Sequence, residues 1–253
     1  MRLIKYIVVV GFIMAFSLAA TAVNLADETL NYKVLYKWGL VNKTAGRATV
    51  TLRGNATHYK AVLVGRSESW ADNFYKLRDT LISIMTRDNL YPVRYDKIAH
   101  ENGRFSHDIV KFTRSGNTFT GNCTRHRRGK NEASTTTQTT LLKAEGMTVD
   151  MLSVFYYIRT LDFLRMKNGD TKVINIFSGK KKEKLTITFH GNKVVDVNGK
   201  NRTSHYITFK FTTDGKKSSD PIKAWISADG KRIPLKLEGN LKVGKIQCIY
   251  TGS

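Results

Sequence analysis

The chain has 253 residues, of which 42 are Lys or Arg and 20 are Asp or Glu, so its formal charge is +22. A chain of this length buries enough apolar surface to fold without a disulfide or metal staple, which excludes the small stapled scaffolds. With 3 Pro, 19 Gly and frequent Tyr and Phe, the composition favours many strands joined by Gly-containing turns.

The first 22 residues predict a secretory signal peptide. Arg2 and Lys5 precede an uncharged, mostly apolar run at residues 6–18, and Ala20-Thr21-Ala22 has the small-x-small pattern of a cleavage site. The alternative is an uncleaved anchor, but a bilayer core needs about 20 apolar residues and this run is shorter. We therefore expect cleavage near Ala22, with residues 23–253 forming a single β-rich domain. We expect that domain to be soluble in the periplasm or cell envelope, with no transmembrane segment.

Export decides how the positive charge is interpreted. In a cytosolic protein it would indicate nucleic acid, whereas an exported protein meets lipid headgroups, envelope glycans and acidic proteins. We therefore expect no nucleic-acid partner and consider an anionic surface instead. Basic residues concentrate at predicted turns, at residues 125–130, 179–182 and 215–217. These are either solvated turns that keep strand edges apart or an anion site.

Period-2 alternation predicts strands through the first half of the chain. The predicted strands lie near residues 32–37, 48–53, 58–65, 77–86, 93–100, 105–113 and 118–126. Residues 69–75 predict a short helix, and the segment 77–86 also fits helical spacing, although we favour a strand. Residues 127–140 are rich in Ser, Thr and charge, which predicts an exposed loop.

One helix is predicted at residues 150–166. Asp150 can cap it, apolar residues recur at helical spacing, and Asn168-Gly169 can end it. Its apolar positions extend almost all the way round, which is typical of a buried helix. We expect it to pack against the sheet, with Arg159 and Asp162 close enough to pair.

Strands return in the last third of the chain. They are predicted at residues 173–177, 184–190, 194–197, 206–212, 222–227, 233–237 and 241–250, with a bulge at Gly244-Lys245. So many strands exceed what a flat open sheet accommodates. The predicted fold class is all-β, with one or two short helices and a curved antiparallel sheet in the shape of a half-barrel or barrel.

Four segments resemble a known family. They are Tyr36-Lys37-Trp38-Gly39-Leu40 with Ala45-Gly46, Leu90-Tyr91-Pro92-Val93-Arg94-Tyr95, the predicted helix from Asp150 to Arg159, and Ala224-Trp225-Ile226-Ser227-Ala228-Asp229-Gly230 with Pro234-Leu235. Together they resemble the exported domain-of-unknown-function family 3108, over roughly residues 30–250. The resemblance implies a fold and an exported location and no activity. The Trp225 to Leu235 hairpin is also similar to one in periplasmic lipoprotein-carrier and lipid-binding half-barrels, a likeness of fold alone.

No motif indicates catalysis, a metal or a cofactor. There is no Gly-x-Ser-x-Gly elbow, and His100 and His107 lie seven apart across a turn, where surface histidines are a simpler interpretation than zinc ligands. Cys123 and Cys248 share the parity of apolar neighbours and should point inward. They form either a disulfide, which export permits, or two buried thiols.

Aromatic and charged residues supply the candidate ligand-binding set. It consists of Trp38, Trp70, Tyr75, Arg78, Asp79, Tyr156, Arg159 and Trp225. A curved sheet lined by aromatic rings can leave an apolar pocket, although the same rings can simply fill a core. Arg78 and Asp79 could orient a polar head or form a structural ion pair. The first hypothesis is a non-enzymatic envelope protein that holds an apolar or amphipathic, lipid-like ligand. The alternatives are a module that docks on anionic glycan or protein without a cavity, and an unrecognised hydrolase.

Overall fold

The computed structural model describes residues 25–213, 216–217 and 220–253, so the predicted signal peptide at residues 1–22 lies outside the described residues. Two short helices, α1 (Ser69–Asp72) and α2 (Ser153–Arg159), accompany a single large sheet. The strands of its first half are β1 (Glu28–Trp38), β2 (Val41–Gly54), β3 (His58–Ser67), β4 (Leu77–Thr86), β5 (Pro92–Glu101), β6 (Arg104–Ser115), β7 (Thr118–Arg128) and β8 (Thr136–Glu145). Those of its second half are β9 (Thr148–Asp150), β10 (Thr171–Ser178), β11 (Lys181–Val197), β12 (Lys200–Thr213), β13 (Lys216–Lys217), β14 (Ile222–Ser227), β15 (Pro234–Asn240) and β16 (Lys245–Gly252). The all-β prediction is confirmed.

The sheet winds into a nearly closed barrel. Its strand order is β8-β7-β6-β5-β4-β3-β2-β1-β16-β15-β14-β12-β11-β10-β9, with β13 beside β12. Among these pairings, β9 with β10 is parallel, and the others are antiparallel. Closing a sheet on itself removes most of its exposed edges, which explains how so many strands form one stable layer.

The two ends of the sheet meet at a seam between β8 and the β10–β11 hairpin. Side chains close the seam: Asn175 Nδ2 donates to the Glu145 carbonyl at 2.8 Å, and Lys182 Nζ donates to the Lys143 carbonyl at 3.2 Å. The Phe177 ring stacks on Phe112 at 5.6 Å inside the barrel. A Cβ at Gly121 would lie 2.6 Å from the Phe177 ring, so this close approach requires glycine.

Two apolar cores lie inside the barrel, and α2 contributes to both. The first core lies under β1–β8 and includes Leu152 and Tyr156 from the α2 region. The second lies under β9–β15 and includes Ile158, Leu161 and Phe163, from the end of α2 and the turns after it. The prediction that this segment is buried is therefore confirmed, because its apolar residues face two cores at once.

The tip of the β11–β12 hairpin folds over the outside of the barrel. There Val195 and Val197 cover Leu235 and Ile249 in a small third core. Asn198 Nδ2 donates to the Tyr250 carbonyl at 2.9 Å and fixes the tip in place.

Three local predictions were wrong. The helix predicted at residues 150–166 spans only Ser153–Arg159, because residues 148–150 form β9 and the chain continues as turns after Thr160. The loop predicted at 127–140 is partly strand, since the Thr-rich segment from Thr136 pairs with β7. Gly244 lies in the turn that joins β15 and β16, where Leu241 N donates to the Gly244 carbonyl at 3.0 Å, and not in a bulge. Neither helix of the described residues is long and apolar enough to cross a membrane.

Candidate functional site

The inner face of β2–β8 changes from apolar to charged between neighbouring rows of side chains. Antiparallel partners face the same side of a sheet, so the register places residues in rows across the strands. The first row is Leu52, Ala61, Ser83, Tyr95, Val110, Cys123 and Thr140. The second row is Val50, Leu63, Leu81, Lys97, Asp108, Arg125 and Gln138. The third row begins with Ala48, Gly65, Asp79, Ala99 and Ser106. An inner surface with charged residues in its second and third rows is not built for core packing alone.

Four residues form a carboxyl cluster at the charged end: Tyr75, Asp79, Lys97 and Glu101. Tyr75 donates its hydroxyl to Glu101 at 2.6 Å, and Lys97 Nζ lies 3.6 Å from the same carboxylate. Asp79 is buried and accepts the His100 backbone N–H at 3.2 Å. Burial, followed by the neighbouring Glu101, raises the pKa of Asp79 to about 6. The Tyr75 hydroxyl holds the pKa of Glu101 below its ordinary value, and the same contact raises the pKa of Tyr75 to about 12.

Two deeper carboxylates have complete sets of partners. Asp150 receives the Ser83 hydroxyl at 2.6 Å and the backbone N–H groups of Leu152 and Ser153 at 2.8 and 2.7 Å, although its complete burial raises its pKa. Asp108 forms a two-pronged ion pair with Arg125. Satisfied buried groups of this kind hold the fold together, so we assign both to structure.

A second polar group, the tyrosine cluster, consists of Tyr32, Tyr156, Arg159 and Glu28. Arg159 is buried, forms an ion pair with Glu28 and donates to the Lys231 carbonyl at 2.8 Å. The hydroxyls of Tyr32 and Tyr156 and the Nε of Arg159 are buried with no hydrogen-bond partner among the described residues, and the same is true of the Tyr95 hydroxyl in the first row. Burial raises the pKa of both tyrosines, so these hydroxyls stay neutral. Unpartnered buried groups are rare in native proteins, since each costs about 1–3 kcal/mol.

An apolar wall lies in the same part of the barrel as these two clusters. It consists of Ala48, Leu63, Leu81, Phe155 and Tyr250, which pack against the first core while remaining partly exposed. Phe155 and Tyr250 both contact the Tyr32 ring, at 6.3 and 5.8 Å between centroids. Leu63 and Leu81 are cross-strand neighbours, and Lys97 follows Leu81 in the same row. The wall therefore presents apolar surface with hydrogen-bonding groups beside it, which suits an amphipathic molecule.

The three candidate tryptophans do not belong to this wall. Trp38 ends β1 and is 59% exposed. Trp70 lies in α1 and donates to the Thr44 carbonyl at 2.6 Å. Trp225 lies on the outer face, against the third core, with Tyr206 at 5.1 Å between ring centroids. The aromatic residues of the inner region are instead Tyr32, Phe155, Tyr156 and Tyr250.

Two predicted ion pairs were wrong. Arg78 and Asp79 are consecutive in β4 and face opposite sides of the sheet, so Arg78 pairs with Asp72 at 2.7 Å while Asp79 joins the carboxyl cluster. Arg159 pairs with Glu28, and Asp162 pairs with Arg165 at 3.4 Å, because the helix ends before Asp162. Of the candidate residues, Tyr75 and Asp79 lie together in one cluster, and Tyr156 and Arg159 lie together in the other.

Sequence reasoning missed Lys97, Glu101, Glu28 and Tyr32. For Lys97 and Glu101 the sequence did contain a signal. They lie on the same face of the strand as Tyr95 and Ala99, so they occupy inward positions, where apolar residues are the rule. Glu28 carried no comparable signal, since its partner Arg159 is 131 residues away.

The cysteines and histidines show no joint site. Cys123 and Cys248 are free thiols, and burial raises the pKa of Cys123 to about 11 and that of Cys248 to about 12. The disulfide alternative is therefore not realised in this structure. His100 lies against Phe105, while His107 Nε2 contacts Asp96 at 2.9 Å. Within the described ranges, no three metal-ligating side chains converge.

Comparisons with known proteins give a matching family and a solved structure with a similar fold. The family described as "Protein of unknown function (DUF3108)" matches residues 31–249. The beta-barrel-like protein of domain of unknown function DUF1849 from Brucella abortus superposes with a TM-score of 0.60 at 12% identity, covering 91% of this chain and 98% of that one. The Mycobacterium tuberculosis lipoprotein LppX aligns with a TM-score of 0.28 at 14% identity, covering 88% of this chain and 84% of that one, too weak a likeness to support an argument. No curated protein matches the sequence.

Proposed function

The chain belongs to the DUF3108 family of proteins of unknown function, and from that premise we propose that it is a non-enzymatic binding protein of the cell envelope. In this proposal the barrel holds one apolar or amphipathic molecule against the apolar wall. The proposed location in the cell envelope rests on the signal peptide predicted at residues 1–22. N-terminal sequencing of the protein released from the periplasm should begin at or near Val23.

The observation that carries the proposal is the unpartnered buried polar set beside the apolar wall. A core that served stability alone would gain from Phe at positions 32 and 156, because Phe fills nearly the same volume without an orphaned hydroxyl. Keeping two hydroxyls and the Arg159 Nε unpartnered is costly unless something else uses them. A guest with a polar end would satisfy these donors while its apolar part covers Phe155 and Leu63.

The first experiment asks whether the protein carries a guest. Protein purified without detergent is analysed by native mass spectrometry, and a phenylnaphthylamine or fluorescent fatty-acid probe is titrated into stripped protein. We expect an added mass that organic extraction removes, and saturable fluorescence at one probe per chain. A clean mass together with no saturable fluorescence in well-folded protein would overturn the proposal.

The second experiment places the guest on the inner side of the sheet. Leu63→Trp and Leu81→Trp fill the apolar wall and should abolish probe binding. The matched controls are Val62→Trp and Ile82→Trp, one residue along each strand, because these positions face outward. Circular dichroism confirms that all four variants are folded. If inner and outer variants bind the probe equally well, the guest does not lie on this wall.

A further inference from the structure

A row of basic residues crosses the outer face of seven consecutive strands. The register aligns, from β1 to β7, Lys33, Arg47, Arg66, Arg78, His100, Phe105 and Arg128. Neighbouring strands lie about 4.8 Å apart, so the row extends for about 29 Å around the barrel. We call Lys33, Arg47, Arg66, Arg78, His100 and Arg128 the cationic row.

Much of the charge in this row is not neutralised. Arg47 pairs with Glu68 at 2.8 Å, and Arg78 pairs with Asp72. Lys33, Arg66 and Arg128 form no ion pair within the part of the chain that the structure describes. Like charges aligned on neighbouring strands destabilise a sheet, so the row works against the fold unless an anion covers it.

Two open grooves lie along the same row. The larger, of about 400 Å³, is lined by Arg47, Ala48, Thr49, Val64, Arg66, Ser67 and Glu68, whose carboxylate is paired with Arg47. The smaller, of about 250 Å³, is lined by Lys76, Arg78, His100, Gly103, Arg104, Phe105 and Arg128. The larger exceeds the lower limit of small-molecule sites, about 300 Å³, and the smaller falls just below it. Two grooves joined by a line of cations resemble successive subsites for one extended ligand.

From this arrangement we propose that the cationic row binds a linear anionic glycan. A single small anion would need donors that converge on one point, whereas these residues are spread over seven strands. A flat bilayer would touch only part of a row that curves around a barrel. Single-stranded nucleic acid is bound by aromatic platforms that stack on its bases, and the two rings in the row, His100 and Phe105, already lie against each other at 5.1 Å between centroids. The site is separate from the inner wall and does not depend on it.

The test compares two triple variants that lose the same charge. Arg47→Gln, Arg66→Gln and Arg128→Gln are combined to remove three exposed cations of the row. The control combines Lys200→Gln, Lys210→Gln and Lys242→Gln, which are exposed and lie outside the row. Binding to size-defined heparin oligosaccharides is measured by titration calorimetry at low and at physiological ionic strength.

We expect the wild type to bind heparin with an affinity that falls as salt increases. The row variant should bind about tenfold more weakly, since several exposed ion pairs are lost together, while the control stays within about twofold. Equal weakening by both variants would show that only net charge matters and would overturn the proposal, as would a wild type that does not bind. Tighter binding to a single-stranded DNA oligomer or to anionic vesicles than to heparin would overturn the choice of glycan. The probe of the inner wall should bind both variants normally.

Discussion

The two halves of the sheet treat their inner faces differently. Under β9–β15, the second core is built mainly from aliphatic and aromatic side chains, with Ile176, Leu185 and Ile187 fully buried. The buried His205 beside it has a hydrogen-bond partner, Asn192 Oδ1 at 2.7 Å. Under β1–β8, apolar residues share the interior with Asp79, Asp108 and the unpartnered hydroxyls of Tyr32, Tyr95 and Tyr156. The contrast teaches that the second half is organised for stability, while the first half retains polar groups that stability does not require.

The largest expected effect on the free energy of unfolding comes from truncating a side chain of the second core. Ile187→Ala should lower the free energy of unfolding by about 2–5 kcal/mol, because a cavity is left in a fully packed region. Leu63→Ala, on the partly exposed wall of the first half, should cost only about 1 kcal/mol, since less apolar area is removed from contact. Urea unfolding followed by circular dichroism measures both. Equal losses would mean that the two halves are packed alike and would remove the contrast.

An effect of intermediate size is expected from the carboxyl cluster, which should make the free energy of unfolding depend on pH. The pKa of Asp79 is raised from 3.8 to about 6 in the folded protein, so the native state holds the extra proton between these values. The stability that the protonated carboxyl contributes is complete below about pH 4 and is lost as the pH rises through 6. Asp79→Asn, which does not titrate, should remove this loss and be more stable than wild type at pH 7 by about 1–2 kcal/mol.

The matched control for this prediction is Asp162→Asn, which removes a carboxylate from an exposed position. Its unfolding curves between pH 4 and 7 should parallel those of the wild type. If Asp79→Asn also parallels the wild type, the carboxyl cluster does not disfavour the charge on Asp79.

The smallest effect distinguishes an orphaned hydroxyl from a bonded one. Tyr156→Phe should leave the free energy of unfolding within about 0.5 kcal/mol or raise it, because the hydroxyl has no partner to lose. Tyr59→Phe should cost about 1 kcal/mol, since the Tyr59 hydroxyl accepts the Leu25 N–H at 2.9 Å. Thermal melts of both variants give the comparison. A marked loss from Tyr156→Phe would indicate a structural bond and weaken the case for a guest.

The alternation of apolar and polar residues along the chain was enough to predict the strands but not all of their ends. Residues 222–227 were predicted as a strand and form β14 with the same bounds. The helix predicted over residues 150–166 was too long, because Leu161 and Phe163 continue the helical spacing but are buried in turns after Thr160. The Thr-rich segment at 136–140 reads as a loop by polarity, yet Thr is β-branched and the ladder with β7 decides its conformation.

The candidate site depends on register, which the sequence does not state. Asp79 and Glu101 lie 22 positions apart and come together only because β4 pairs with β5 in one alignment. A slip of one residue would turn every one of these side chains to the other face. Glu28 and Arg159 meet across almost the whole first half of the chain, so no local pattern could reveal them.

Among the described residues, the seam is the junction of the barrel wall that no backbone ladder closes. Elsewhere, separating two strands means breaking a backbone ladder, whereas parting β8 from the β10–β11 hairpin breaks side-chain contacts such as Asn175 to Glu145 and Lys182 to Lys143, and the stack of Phe177 on Phe112. Widening the barrel along this line therefore costs fewer backbone hydrogen bonds than widening it between any two paired strands.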